Sequence, residues 1–106
     1  MTYDVYTTEP FDDGVEKLEK SERVRLDKLY PKLTENPYVG DQLQYKNLRE
    51  KRLKEKRVYF LVYDDLRAVL FIAVSGKKNQ QATINYIINS FDEYKEYLKK
   101  RIGSGA

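Results

Sequence analysis

The fold is decided by residues 46–78, which read KNLREKRLKEKR (46–57), VYFLVYDDLRAVLFIAVS (58–75) and GKK (76–78). A dense basic block leads into two apolar runs separated by a short acidic turn, and a basic pair follows the second run. Runs this rich in Val, Tyr, Phe and Leu are typical of β-strands. If a third strand joins them, both basic clusters meet over one sheet, and such an arrangement suits a polyanion.

Three consecutive strands are predicted within this stretch. Segment 48–54 is interpreted as a strand with one solvated face, whose charged side chains cover apolar surface with their aliphatic stems. Strands 57–63 and 67–75 follow, joined by a turn at 64–66, and the last strand is apolar enough to be covered on both faces. Pairing about this turn predicts that Arg57 lies opposite residues 72–73.

The N-terminal segment predicts a strand followed by a helix. Residues 3–7 fit a short strand, which Pro10 ends. Asp12 or Asp13 is expected to cap the first helix, whose apolar residues recur at helical spacing.

A second helix and a C-terminal helical region complete the predicted fold. The second helix is expected to start at Ser21 and to kink or end early at Pro31, while one or two helices begin at Gln80. These elements predict an α+β fold: an N-terminal strand, a helical hairpin, a three-stranded antiparallel meander and a C-terminal helix. Residues 1–102 are expected to form a single domain and residues 103–106 a disordered tail.

Charge is distributed unevenly along the 106 residues. The net charge is only +3, but residues 1–16 carry five acidic and no basic side chains, a net of −5. Residues 46–57 carry seven basic and two acidic side chains, a net of +5. A basic middle of this density suggests an anionic partner at one face.

Several chemistries are excluded by composition. The chain has no Cys and no His, which excludes disulfides, thiolate zinc sites, a Cys nucleophile and an imidazole base. No metal-ligand spacing and no cofactor motif occur, so no cofactor is expected. The absence of a signal-peptide pattern, and of an apolar run longer than 68–74, predicts a cytoplasmic protein without a membrane partner.

Basic side chains at one sheet end form the candidate site. Arg57 opens the middle strand, Arg52 or Lys54 can reach the same end, and Lys77 and Lys78 close the last strand. Positive charge from three strands can bind phosphates and stabilise charge that develops on a scissile phosphate. Without His, a 2′-hydroxyl would have to be deprotonated by Lys, Tyr, Glu or Asp. A tyrosine could instead stack on a base, and the aromatic candidates are Tyr59, Tyr63 and Tyr86.

The alternative interpretation of the same residues is structural. Strand ends often carry charge, and the basic block could be a solvated strand whose cations pair with Glu50 and Glu55. The tyrosines could serve as core or interface residues.

The quoted residues resemble the RelE/ParE toxin superfamily, particularly its archaeal RelE-like members. The resemblance covers the chain from Tyr3 to the C-terminal helix and follows the family's order β, α, α, β, β, β, α. It rests on four segments, namely ENPYVGDQL (35–43), the basic strand with Arg52-Leu53, KRVYFLVYDD (56–65) and FIAVSGKK (71–78).

This resemblance implies the toxin of a type II toxin–antitoxin pair that cleaves mRNA in the ribosomal A site. The 2′-hydroxyl would attack without a metal, and the partners would be a RelB-like antitoxin, in a hetero-oligomer, and the ribosome with its mRNA. Position by position, the catalytic residues would be Arg52, Lys54, Arg57 and Lys78. The family's C-terminal tyrosine falls at Ile84, and Tyr86 lies two residues further on. The RNA-binding set would be Arg49, Lys51, Lys56, Lys77 and Tyr86.

Two other functions fit the same resemblance. One is a non-catalytic module of this fold that binds RNA or protein, which the missing tyrosine and the lysine at position 78 both favour. The other is a ParE-like inhibitor of DNA gyrase, although the density of basic residues favours the RelE side.

Overall fold

A computed structural model describes residues 2–104, which form one five-stranded mixed sheet and four helices. The sheet order is β1-β5-β4-β3-β2, with β1 parallel to β5 and the other neighbours antiparallel. The elements are β1 (Asp4–Thr7), α1 (Glu9–Glu16), α2 (Lys20–Glu35), β2 (Asp41–Gln42), β3 (Leu48–Arg52), β4 (Lys56–Tyr63), β5 (Ala68–Gly76), α3 (Gln80–Ile88) and α4 (Phe91–Ser104).

The predicted α+β fold is confirmed, including the meander β3–β4–β5 and the N-terminal strand beside it. The two-residue strand β2 was not predicted, and the C-terminal helical region is two helices separated at residues 89 and 90. Helix α4 runs to Ser104, and residues 105 and 106, the end of the predicted tail, lie outside the described residues. No helix within residues 2–104 is long and apolar enough to cross a membrane.

The sheet lies between two helical layers. Helices α1 and α2 cover one face, where Phe11 stacks on Phe71 with ring centroids 4.7 Å apart. Helices α3 and α4 cover the other face, where Ile87 and Leu98 pack with Leu61 of β4. Strands β4 and β5 are thus buried on both faces, which explains their nearly continuous apolar sequence.

Strand β5 contains one residue more than its partner in the ladder. Phe60 pairs with Phe71 but Tyr59 pairs with Ala73, so Ile72 is the extra residue of a β-bulge. As a result Arg57 lies opposite Ser75, and the predicted pairing with residues 72–73 is wrong. The centre of the turn lies half a residue later than predicted, and the bulge shifts the pairing by one further residue. No local sequence pattern marks the bulge.

Thr8 connects this bulge to the start of α1. Its hydroxyl donates to the carbonyl oxygen of Ile72 at 2.7 Å and accepts from the backbone N–H of Phe11 at 3.3 Å. Thr8 is therefore the N-cap, and the prediction of Asp12 or Asp13 was wrong. Pro10 does not precede the helix but belongs to its first turn, where a missing N–H is harmless.

Helix α2 starts earlier and ends later than predicted. It begins at Lys20, with Glu19 as N-cap, rather than at Ser21. It continues past Pro31 to Glu35, so the predicted early end was wrong. The burial of Leu26, Leu29 and Leu33 against the sheet stabilises the helix and offsets the hydrogen bond that the proline removes.

A buried carboxylate joins α2 to the hairpin turn between β3 and β4. Glu22 is 1% exposed, and one oxygen accepts from the backbone N–H of Glu19 at 3.1 Å. The other oxygen accepts from the backbone N–H groups of Glu55 and Lys56 at 3.2 and 3.1 Å. Three backbone donors that would otherwise lack partners are thereby satisfied by one side chain.

We predict that Glu22→Gln lowers the free energy of unfolding by about 2–3 kcal/mol, because an amide presents an N–H group where a carboxylate oxygen now accepts. Chemical denaturation measures the change, with Glu35→Gln on the exposed part of the same helix as control. Equal stability of the two variants would contradict this role for Glu22.

Helix α1 approaches β5 closely at Gly14. A β-carbon at this position would lie 2.8 Å from the Cβ of Val74. The glycine, which is unfavourable for the helix by itself, therefore permits the contact between α1 and the sheet.

We predict that Gly14→Ala lowers the free energy of unfolding by about 1–2 kcal/mol, because the clash with Val74 exceeds the gain in helix propensity. The control is Gly103→Ala in α4, where an added Cβ meets no atom within 4 Å and stability should not fall. Denaturant titration of both variants, and of Gly14→Ala combined with Val74→Ala, tests the assignment. An unchanged or higher stability of Gly14→Ala disproves it.

Candidate nucleic-acid interface

The face of the sheet that carries α3 and α4 becomes polar at one end. Glu50 and Arg52 of β3 pair with Tyr59 and Arg57 of β4, and Ser75 of β5 pairs with Arg57. Since side chains alternate between faces, these five project to the same side, beyond the apolar core formed with α3 and α4.

Arg57 is held by a buried acidic partner. Its Nε lies 3.7 Å from Oε1 of Glu50, and the two side chains are only 11% and 10% exposed. Gln80, at the start of α3, donates from Nε2 to Oε2 of Glu50 at 2.7 Å. The guanidinium is therefore fixed in position by a carboxylate that is itself fixed by α3.

Tyr59 supports the same cluster from the core. It is fully buried, and its hydroxyl is 2.8 Å from the hydroxyl oxygen of Ser75. Burial has the largest effect and raises the pKa of Tyr59; the hydrogen bond with Ser75 lowers it, and the charges of Glu50 and Arg57 then raise and lower it by smaller amounts. Burial likewise raises the pKa of Tyr63 to about 12. Both phenols stay protonated at neutral pH, so neither is suited to act as a base, and both rings are buried, so neither can stack on a nucleotide.

Three exposed cations surround the buried pair. Arg52, opposite Arg57, donates from Nε to the carbonyl oxygen of Lys54 at 2.8 Å, which orients its guanidinium. Lys77 and Lys78 are exposed in the short turn that follows β5, two and three residues beyond Ser75. Arg52, Arg57 and the lysine pair thus lie at the same end of the sheet, and their joint action on one phosphate stays a prediction.

Lys54 and Lys56 do not join this cluster. The ammonium of Lys54, in the β3–β4 turn, lies 3.7 Å from Oε2 of Glu19 in the α1–α2 layer. Lys56 alternates to the opposite face from Arg57, where it lines a cavity of about 460 Å³ with Asp13 and Lys17. The turn geometry, which the sequence pattern does not reveal, separates Lys54 from Arg57, whereas strand alternation alone separates Lys56.

Arg49 and Lys51 also lie on the opposite face, because they alternate with Glu50 and Arg52 along β3. The Arg49 guanidinium lies 5.1 Å from the ring centroid of Tyr38 and donates to its carbonyl oxygen at 3.0 Å. Lys51 lies beside α2. The predicted RNA-binding set is thus divided between two faces.

Tyr86 lies apart from the cluster. It is 64% exposed and lines an apolar cavity of about 560 Å³ with Ile72, Tyr94 and other residues of α1, α3, α4 and β5. On α3 it lies about 120° around the axis from Gln80, the residue that contacts Glu50. Ile84, where the resemblance places a tyrosine, is buried in the core.

Sequence reasoning missed Glu50, Ser75 and Gln80 as members of the site. Glu50 was interpreted only as a possible surface partner of the basic block, and no chemistry was assigned to Gln80. One signal was available for Glu50, because a residue two positions before Arg52 on a strand must share its face. Within residues 2–104, no group of three or more acidic side chains is arranged to hold a metal ion.

Solved structures of RelE toxins share this fold. A double mutant of the E. coli toxin RelE in the free state has a TM-score of 0.71 at 20% identity, over 84% of this chain and 97% of that one. The RelE–RelB complex from Pyrococcus horikoshii OT3 has a TM-score of 0.64 at 19% identity, over 73% of this chain and 97% of that one. The toxin–antitoxin complex RelBE2 from Mycobacterium tuberculosis has a TM-score of 0.62 at 18% identity, over 73% of this chain and 100% of that one.

The chain therefore has the RelE-like toxin fold, which confirms the predicted fold class and the resemblance at the level of architecture. Similar structures come from both bacteria and archaea. No protein-family model matches the chain, and no curated protein is similar to it in sequence.

We predict that Arg57→Ala lowers the free energy of unfolding by about 3 kcal/mol, because it leaves the Glu50 carboxylate buried without its charge partner. Combining it with Glu50→Gln should recover at least about 1 kcal/mol, since a neutral amide in that place is easier to bury. Denaturant unfolding at pH 7 of the two single variants and the double variant measures the coupling. Simple additivity of the two losses would rule out a buried ion pair.

Proposed function

We propose that this protein is the toxin of a type II toxin–antitoxin pair and an endoribonuclease that cleaves mRNA in the A site of translating ribosomes. The observation that carries the proposal is the buried Arg57, fixed by Glu50 and Gln80, at the sheet end where Arg52, Lys77 and Lys78 are exposed. The RelE-like fold and the RelE resemblance of the sequence support it. Action on translating ribosomes would take place in the cytoplasm.

Substrate binding is assigned to the exposed cations. Arg52, Lys77 and Lys78 bind phosphates on either side of the scissile one, which holds the RNA backbone in place. The guanidinium of Arg52 is already oriented by the carbonyl oxygen of Lys54, so less freedom is lost when a phosphate binds.

Cleavage proceeds by attack of the ribose 2′-oxygen on the adjacent phosphorus. The bond from phosphorus to the 5′-oxygen breaks and this oxygen takes a proton from water, which leaves a 2′,3′-cyclic phosphate and a 5′-hydroxyl. Arg57 and Lys78 stabilise the negative charge that develops on the pentacovalent phosphorus, and this scheme requires no metal ion. A preorganised guanidinium is effective here, because Glu50 holds it without reorganisation during the reaction.

Two groups of the cluster can accept the 2′-proton, namely Glu50 and Lys78. Arginine at position 78 would keep the charge but could not accept a proton at neutral pH. The variant Lys78→Arg therefore distinguishes the two candidates in the cleavage assay described below.

The proposed partner is a RelB-like antitoxin. RelE proteins of E. coli and Pyrococcus horikoshii have been solved in complexes with RelB. On this chain, the apolar cavity that contains Tyr86 and Tyr94 offers exposed aromatic surface suited to an amphipathic segment of such a partner, in a toxin–antitoxin hetero-oligomer.

We predict that Arg52→Ala lowers the rate of mRNA cleavage by roughly 10²- to 10³-fold with little effect on stability, because Arg52 is exposed and acts on the substrate. The matched control is Arg101→Ala, which removes an exposed arginine of α4. Purified variants are added to a translating extract with one defined mRNA, and new 5′ ends are mapped. Arg57→Lys, which keeps the charge but not the fork geometry, should also be impaired.

Cuts that depend on ribosomes, fall at A-site codons and disappear with Arg52→Ala are the expected result. If the wild-type protein makes no cuts at high concentration, the nuclease assignment fails, and gyrase inhibition is tested next by supercoiling assays. Full activity of Arg52→Ala alongside wild type would overturn the site but not the nuclease.

A further inference from the structure

A second basic surface lies between α2 and the edge of β3. It is a groove of about 290 Å³ whose rim carries five cations and no acidic side chain. The lining residues are Arg25, Lys28, Leu29, Lys32, Lys51, Arg52 and Leu53.

The pattern of α2 produces this surface. Arg25, Lys28 and Lys32 follow one another at spacings of three and four residues, so they share one flank of the helix. Asp27 lies well around the helix from this flank, near Tyr30, whose pKa is raised by burial and by that carboxylate. Among the described residues, the salt bridges involve Lys54, Arg57 and Lys95, and none neutralises a cation of the groove.

We propose that this groove binds the phosphate backbone of a folded RNA, as a contact surface separate from the cleavage site. The proposal goes beyond the nuclease function, because binding here requires no chemistry at Arg57. Positive charge that lacks internal partners raises the local concentration of a polyanion and releases its counterions on binding.

The composition of the groove favours RNA over an acidic peptide. Peptide docking relies on apolar side chains that enter exposed pockets, but the two apolar residues here, Leu29 and Leu53, are only 4% and 1% exposed. What the groove presents to a ligand is charge alone. The three α2 cations span about 10.5 Å of helix axis, so they present their charge as a row and not at one point.

Arg52 joins the two surfaces. It lines the groove and also lies opposite Arg57 at the cleavage site. An RNA bound in the groove would therefore pass next to the cations proposed to hold the substrate. The groove would anchor the protein on structured RNA while the scissile strand lies at the sheet end.

The experiment compares two triple variants that lose the same charge. Arg25→Gln/Lys28→Gln/Lys32→Gln removes the α2 cations, and Lys99→Gln/Lys100→Gln/Arg101→Gln removes one Arg and two Lys from α4. Each variant changes the formal net charge from +3 to 0, as three cations are lost. Arg52 is left intact in both, because it belongs to the proposed cleavage machinery. The probe is an RNA hairpin with 2′-O-methyl riboses throughout, which cannot be cleaved by 2′-attack.

We expect the α2 variant to bind this hairpin at least about tenfold more weakly than wild type, with a salt dependence reduced by about two to three counterions. The α4 variant should lose much less. If both variants lost the same affinity for the hairpin, the loss would be due to net charge alone, and the proposed groove would be refuted. A polyglutamate peptide that competes with the hairpin at equal charge concentration would also overturn it, in favour of an acidic protein partner.

Failure of this proposal can be told apart from failure of the nuclease assignment. The hairpin cannot be cleaved, so its binding is measured separately from the cuts made in a defined mRNA. A protein that cuts no mRNA but binds the hairpin through α2 would refute the nuclease and support the groove. A protein that cuts at A-site codons while the α2 variant binds the hairpin normally would support the nuclease and refute the groove. Circular dichroism of the variants checks that these exposed substitutions leave the fold intact.

Discussion

The Glu22 carboxylate is the contact on which the geometry of both basic surfaces depends. Its oxygens satisfy the N-terminal end of α2 and two amides of the β3–β4 turn at once. Arg52 ends the strand before this turn and Arg57 lies at the start of the strand after it. The side chain thereby ties α2 to the hairpin, on which both the groove and the position of the Arg57 cluster depend. An apolar residue could pack in this place but could not bind three amides.

One basic block supplies two surfaces because a strand sends successive side chains to opposite faces. In β3 Glu50 and Arg52 pair with Tyr59 and Arg57 on the α3 side, whereas Arg49 and Lys51 lie on the α2 side. Arg52, at the end of the strand, also lines the α2 groove. Burial then separates their roles. The cation that is buried, Arg57, has a dedicated acidic partner, while the cations at the rim remain solvated and available to phosphates.

The elements that could be predicted from the sequence are those whose signal is local. Strands β4 and β5 were placed within one residue at each end, because runs buried on both faces contain little but apolar side chains. The meeting of Arg57 and Lys77-Lys78 followed from the meander alone. The direction of Lys54 depends on a turn and on Glu19, and the role of Glu50 depends on its pairing with Tyr59 and on Gln80. Those contacts join residues far apart along the chain, so neither periodicity nor composition reports them.

The bulge at Ile72 decides which side chains of β5 reach the polar end of the sheet, because it shifts the alternation of the strand by one residue. Before it, even-numbered residues of β5 face α3 and α4; after it, odd-numbered ones do, so that Ile72 and Ala73 both pack on that side. In an unbulged strand Ser75 would face α1, and Tyr59 would lose its hydroxyl partner. Thr8 binds the bulge carbonyl and caps α1, so it fixes which residues of β5 face each side of the sheet relative to the start of that helix. It links the phase of a strand to the start of a helix more than sixty residues earlier in the chain. An insertion or deletion of one residue in β5 near the bulge would turn Val74 instead of Ser75 toward Tyr59. The sheet end would then lose its polar surface although no residue of the site had been substituted.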